Sequence, residues 1–361
     1  MMRQESLDFL RRFLVCGTPS GYEEWGQAEW LKYVGPYAGM CETDAMGNAW
    51  ARSFTSAPLK TVMVVGHCDE IGLMATHITE KGFIHFAPIG GVDVDILQGT
   101  RVKFHATGVT GIIGRKPIHL QDDDSNKDKD KVKIQNLWID VGAPSKEMAA
   151  KLVPVGSVAY MSHGEPLLLP GADILTSRGL DDKVGAFVAA ETIRLASESG
   201  FKDVMMVGVS TVQEEIGLCG AKTVANIIKP DAAIVVDVCF ATDTPDEDEA
   251  KKVGDIYLGK GPAVAVGAAC NKIMLQYVME AAKEHNIDVQ IAPEPNETGT
   301  DADAIRLTSV GIPTINISIP VRYMHTPVEA CSLQDVESAA KLVYHAAVKT
   351  RGEVNSFKRR H

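Results

Sequence analysis

Four short apolar runs constrain this chain most: 61–65 (Thr-Val-Met-Val-Val), 204–209 (Val-Met-Met-Val-Gly-Val), 232–236 (Ala-Ala-Ile-Val-Val) and 311–319. Runs of this length and type read as buried strands. Segments of helical period separate them. Asp181 and Asp182 open one whose face holds Val184, Phe187, Val188 and Leu195. A second lies near 220–228, and Asn271 caps a third that carries Met274, Val278 and Ala281. A last helix starts with Ser332 and Asp335 as a capping box and packs Val336, Ala340, Val343 and Ala347. Two more precede the first run, one on Leu7, Leu10 and Leu14, the other on Trp25, Trp30 and Val34. Strands alternating with helices predict an α/β fold, a mostly parallel sheet flanked by helices.

Between about 84 and 160 the texture differs. Short alternating bursts at 99–104, 108–113 and 136–141 are separated by glycines, as in a small barrel or sandwich. This β-rich block reads as an insertion within the α/β unit. The charged stretch 121–133 inside it lacks the spacing of a calcium loop and reads as a solvated hairpin tip.

At 361 residues the chain suits about two domains. Its net charge of −11 gives no footprint for nucleic acid and does not favour an anionic membrane surface. No stretch approaches the roughly 18 apolar residues of a membrane span. The first fifteen residues have charges within their apolar run and no cleavage site, so they do not read as a signal peptide. Seven cysteines, an odd number without any Cys-x-x-Cys pair, suggest reduced thiols and a cytoplasmic protein.

In open α/β sheets, sites form beyond the carboxyl ends of strands. Here 62–65 leads into Gly66-His67-Cys68-Asp69-Glu70, and 204–209 into Ser210-Thr211-Val212-Gln213-Glu214-Glu215. Asp237 ends 232–236, and Met324-His325-Thr326-Pro327 follows the strand near 315–319. With Asp181, these ends bring imidazoles and carboxylates to one edge, the donor set that a pair of borderline divalent metals requires. Each piece has a plainer reading. A single histidine after a strand can be a hydrogen-bonded rim residue. Asp69 can orient His67 or cap a loop, and Glu214-Glu215 can be a solvated pair at a helix start. Asp237 is harder to place this way, because an unpaired carboxylate at a buried strand end costs several kcal/mol.

The order Gly66-His67-x-Asp69-Glu70-Ile71-Gly72, Leu180-Asp181-Asp182-Lys183-x-Gly185, Glu214-Glu215-Ile216-Gly217, Asp237 and Met324-His325-Thr326-Pro327 resembles the M42 metallo-aminopeptidases. These include the self-compartmentalising TET-type and the glutamyl or deblocking aminopeptidases. Thr18-Pro19-Ser20-Gly21, Asp44-x-x-Gly47-Asn48 and Gly299-Thr300-Asp301-Ala302 match as well, so the similarity runs from about 17 to 345. It implies two divalent ions per subunit, zinc or cobalt. His67, Asp237, Glu215 and His325 would each hold one ion or the other, and Asp181 would bridge them. Glu214 would be the general base, and Asp69 would support His67 from behind. A solvent oxygen shared by the ions would attack the peptide carbonyl, releasing N-terminal residues from short peptides. The resemblance also implies a catalytic unit of 1–72 plus 167–361 and a PDZ-like dimerisation insert, 73–166, with dimers assembling into dodecamers. Which glutamate is the base follows from the resemblance and not from spacing.

Three other readings compete. A glycosidase built on Glu214 and a second carboxylate leaves His67 and His325 without a role. A scaffold stapled by metal has no need of a free Glu214. A carboxypeptidase or N-acyl-amino-acid deacylase shares the metal set but carries its insertion elsewhere.

Overall fold

The computed structural model describes residues 2–55, 60–117, 119, 132–171, 173–245, 248 and 250–354. The hairpin tip expected at 121–133 lies outside them as far as residue 131. One large sheet runs in the order Met40–Thr43, Ala49–Arg52, Val204–Thr211, Lys60–His67, Ala232–Phe240, Thr314–Arg322, Glu329–Ser332, Ile174–Ser177 and Leu167–Leu169. Ala263–Gly267 pairs with Thr314–Arg322 and carries Gln290–Glu294 beside it. The four central strands, Val204–Thr211 to Thr314–Arg322, are mutually parallel, and they hold the four apolar runs of the sequence, the last of them only from Thr314 on.

Each run is apolar throughout because its two faces feed two different cores, as the period of two requires. Val62 and Val64, with Val204, Met206, Ile234 and Val236, face one cluster. The helices Gln4–Val15, Glu24–Val34, Leu180–Ser199, Lys272–Glu284 and Leu333–Lys349 complete that cluster. Met63 and Val65, with Val207, Val209, Ala233 and Val235, face the opposite cluster, covered by Cys219–Ile228 and Asp301–Ile305.

The helix Leu180–Ser199 is buried along most of its length and crosses the sheet directly over Gly66. A Cβ on Gly66 would lie 2.1 Å from the carbonyl carbon of Gly185, so only glycine permits this approach. The contact holds the start of the helix against the end of the His67 strand. Asp181 and Asp182 themselves are non-helical, with ψ of 108° and 39°, and the peptide between them is cis. The regular helix therefore begins after them, and both carboxylates belong to the turn that leads into it.

The β-rich block closes into a six-stranded barrel, in the order Gly72–Ile78, Ile84–Ile89, Leu137–Asp140, Thr110–Arg115, Arg101–Phe104 and Val158–Met161. Leu73, Ile84, Val102, Phe104, Ile113 and Ile139 fill it. It rests on the α/β unit through His105, stacked on Trp25 at 3.9 Å between ring centroids, and through Tyr160, which lies under the Arg178 guanidinium.

Two local expectations need correction. Ser332 caps its helix by accepting from the Gln334 amide, but Asp335 does not close a capping box. Its carboxylate accepts from the amides of Gly259 and Gly261 instead, bracing a neighbouring loop. Asp237 does not end its strand. Pairing with Thr314–Arg322 continues to Phe240, with Asp237 opposite Ser318.

Candidate metal centre

Four adjacent parallel strands deliver the site at their carboxyl ends. Thr211 pairs with His67, which sets the Glu214-Glu215 loop beside the imidazole. Val235 lies opposite Val65, so Asp237 and His67, each two residues further on, share a face of the sheet. His325 follows Thr314–Arg322 with a positive φ of 60°. Its amide donates to Glu329 Oε1 at 2.9 Å.

Asp181 stands at the centre. One carboxylate oxygen is 3.1 Å from His67 Nε2 and the other 3.3 Å from His325 Nε2. Two donor groups surround it. His67, Asp182 and Asp237 offer atoms within 4.8 Å of one another, as do Asp181, Glu215 and His325. The sequence offered Asp182 only as a helix-opening residue and part of a motif, not as a donor. Its two oxygens accept from the amides of His67 and Gly185, each at 3.0 Å, so it also ties the strand end to the helix. Glu214 Oε2 lies 3.9 Å from His67 Nε2.

Asp69 lies behind this layer, fully buried. It accepts from Ser20 Oγ at 2.6 Å and from the amides of Glu214 and Glu215 at 3.0 and 3.2 Å. His67 Nδ1 is 3.1 Å from the Asp69 carbonyl, which can only accept, so the proton is on Nδ1 and Nε2 faces the donor group. One residue thus fixes both the imidazole and the glutamate loop.

Other residues, to which the sequence assigned no role, support the site. Glu329, buried, spans the amides of His325 and Asp181. Glu70 pairs with Arg178 and Lys183, and Asp301 accepts from Thr211 Oγ1 at 2.6 Å. Glu23 accepts from the amide of Gln213 just before the glutamates. A charged residue set in an otherwise apolar stretch, as at Glu329, was the available signal.

The electrostatics are unbalanced. Burial, reinforced by neighbouring carboxylates, pushes Glu214 up to about 9 and Glu215 and Asp237 to about 8. The hydrogen bond to Asp181 raises His325 to about 10. Among the described residues, the ion pairs of Asp181, Glu214 and Glu215 are with His67 and His325, and none is with lysine or arginine. Crowded acids and two imidazoles without a permanent cation are a donor set that fits divalent ions.

The comparisons agree with this arrangement. The family model for M42 glutamyl aminopeptidase matches residues 47–342. The lysyl aminopeptidase of Pyrococcus furiosus is 32% identical over 93% of this chain and 94% of its own. The crystal structure of a TET aminopeptidase from a marine-sediment Thaumarchaeota archaeon superposes with a TM-score of 0.89 at 30% identity, covering 97% of this chain and all of the other. A TET peptidase of Pyrococcus horikoshii, described as assembling into a tetrahedron or a large octahedral shell, gives 0.81 at 31% identity over 95% and 99%. The chain belongs to the M42 glutamyl aminopeptidase family and is a peptidase.

Proposed function

We propose that this chain is a dinuclear metal-dependent aminopeptidase that removes N-terminal residues from short peptides. The observation that carries the reading is Asp181, whose two oxygens face two histidines at 3.1 and 3.3 Å between two donor groups. His67 and Asp237 would hold one divalent ion, Glu215 and His325 the other, and Asp181 would be shared. Zinc or cobalt suits these imidazole and carboxylate donors. When bound, such ions polarise the scissile carbonyl and acidify water toward neutrality.

The chain's own residues supply the rest. Glu214 takes the proton from the attacking water and passes it to the leaving amine. Its backbone is held for this by Asp69, as is that of Glu215. With divalent ions held by the donor groups, Glu214 would be drawn down from about 9 toward the range in which a base works. The same reading assigns catalysis to 1–72 plus 167–361 and dimerisation to the inserted barrel, 73–166. It makes the protein a homo-oligomer, a dodecamer built from dimers. All seven cysteines are free thiols, which supports placing it in the cytoplasm.

A panel of aminoacyl-p-nitroanilides, with N-blocked peptides as controls, tests the proposal. Turnover of free-amine substrates, abolished by chelation and restored by zinc or cobalt, is expected. Preference for N-blocked substrates would point to a deacylase, and indifference to exhaustive chelation would overturn the metal reading.

A further inference from the structure

The two histidines of the site are anchored differently. His67 is fully buried, and its Nδ1 is held from within its own strand end, by the carbonyl of Asp69. His325 is a third exposed, and its Nδ1 lies 2.8 Å from the carbonyl of Gly91. Gly91 belongs to the inserted barrel, in the turn that follows Ile84–Ile89. A carbonyl only accepts, so this bond places a proton on Nδ1 and aims Nε2 at Asp181 and Glu215, at 3.3 and 3.5 Å.

The turn also sets the space available to this donor group. A Cβ on Gly91 would lie 3.2 Å from both Cε1 and Nδ1 of His325. Gly90 has a positive φ of 76°. A Cβ there would lie 3.3 Å from Cβ and Oε2 of Glu215 and 3.0 Å from Ile71. Two consecutive glycines thus lie flush against two of the three donors of the Asp181–Glu215–His325 group. The atoms nearest to either position belong to Ile71, Glu215 and His325, not to His67 or Asp237.

We propose that the Gly90-Gly91 turn of the inserted barrel is the positioning element of the Asp181–Glu215–His325 metal position, which links occupancy of that position to the seating of the barrel. The proposal rests on the dinuclear reading above. The coupling is reciprocal: a turn that orients His325 favours the ion, and the ion, by fixing His325, holds the turn. The position that includes His67 and Asp237 is built from the α/β unit alone and is independent of the turn.

The test counts metal equivalents per chain by plasma mass spectrometry after dialysis at fixed free zinc. The wild type takes up two. Gly91→Ala, and more severely Gly91→Val, weakens the second equivalent by about 10- to 100-fold and leaves the first unchanged. The wild type supplies an arm that no folding defect can obscure. Hydrogen exchange across 89–94 slows when the second equivalent is added and not when the first is. Equal loss of both equivalents in Gly91→Ala, or retention of both in Gly91→Val with no exchange protection in the wild type, overturns the proposal. A wild type that binds no zinc at all overturns the metal reading itself, a distinct result.

Discussion

Glu70→Gln separates the scaffold of the site from its chemistry. Glu70 is buried, accepts from the amide of Thr18 at 2.8 Å and from Lys183 Nζ at 3.0 Å, and takes both oxygens to Arg178 Nη1. Arg178 and Lys183 stand on either side of Gly179-Leu180-Asp181-Asp182, so this one carboxylate pins both flanks of the segment that carries Asp181. Burial alone would raise Glu70, but the two cations bring it from 4.5 down to about 2. That depression is worth about 3 kcal/mol at neutral pH. Breaking a buried pair by removing one partner costs about 3–5 kcal/mol, so Glu70→Gln is expected to lose that much at pH 7. A depressed carboxylate contributes fully above its unfolded value of 4.5 and loses the contribution as pH falls toward about 2. The gap between wild type and variant should therefore narrow to roughly half by pH 3. Urea unfolding at pH 7 and pH 3 measures both numbers. A gap below about 1 kcal/mol at pH 7, or one that does not narrow in acid, would refute the reasoning.

Three further outcomes are expected. Glu214→Gln keeps its metal equivalents by plasma mass spectrometry and loses roughly 10²- to 10⁴-fold in turnover; undiminished turnover would sink the base assignment. His325→Ala binds one zinc equivalent in place of two, and unchanged stoichiometry would refute its role as a ligand. Gly66→Ala drives a methyl into the Gly185 backbone, 2.1 Å from its Cβ position, and costs about 1–3 kcal/mol or more in thermal unfolding; a neutral result would mean that strand and helix separate freely.

The central sheet was legible because its signal is local. Residues 62–65 carry the whole pattern of a doubly covered strand, and the polar residue ending each run marks the sheet edge without knowledge of any neighbour. The candidate site residues were legible for a similar reason: His67, Glu214, Glu215 and His325 each lie within about six residues of the end of a run. Asp237 was found but misplaced, because the end of a strand depends on how far its partner extends, and pairing with Thr314–Arg322 continues past it. Asp335 was misread in a similar way. Its spacing from Ser332 suits a capping box, yet the amides of Gly259 and Gly261, over seventy residues away, take up its carboxylate. The contact of Gly91 with His325 spans 234 residues and involves a main-chain oxygen, which no side-chain motif records.

What sequence patterns could not distinguish is which buried acids are structural and which belong to the site, and the difference is the partner. Glu70 faces Arg178 and Lys183, Glu191 faces Arg194, and Asp243 faces Arg322. Each of these is neutralised by a cation that never leaves. The side chains of Asp181 and Glu215 are buried to a similar degree, yet they face imidazoles and one another. An uncompensated buried carboxylate costs several kcal/mol, so a fold that can pair its acids with arginine or lysine and does so elsewhere has a reason to leave these without. Permanent cations here would have filled the place of exchangeable ones. On that reasoning Asp182, whose oxygens are already taken by the amides of His67 and Gly185, contributes to the first donor group chiefly by holding His67 in place. Asp182→Asn should therefore weaken the position that includes His67 and Asp237 by about 10- to 100-fold in zinc titrations, the effect of losing a supporting bond, and a larger loss would make it a direct ligand.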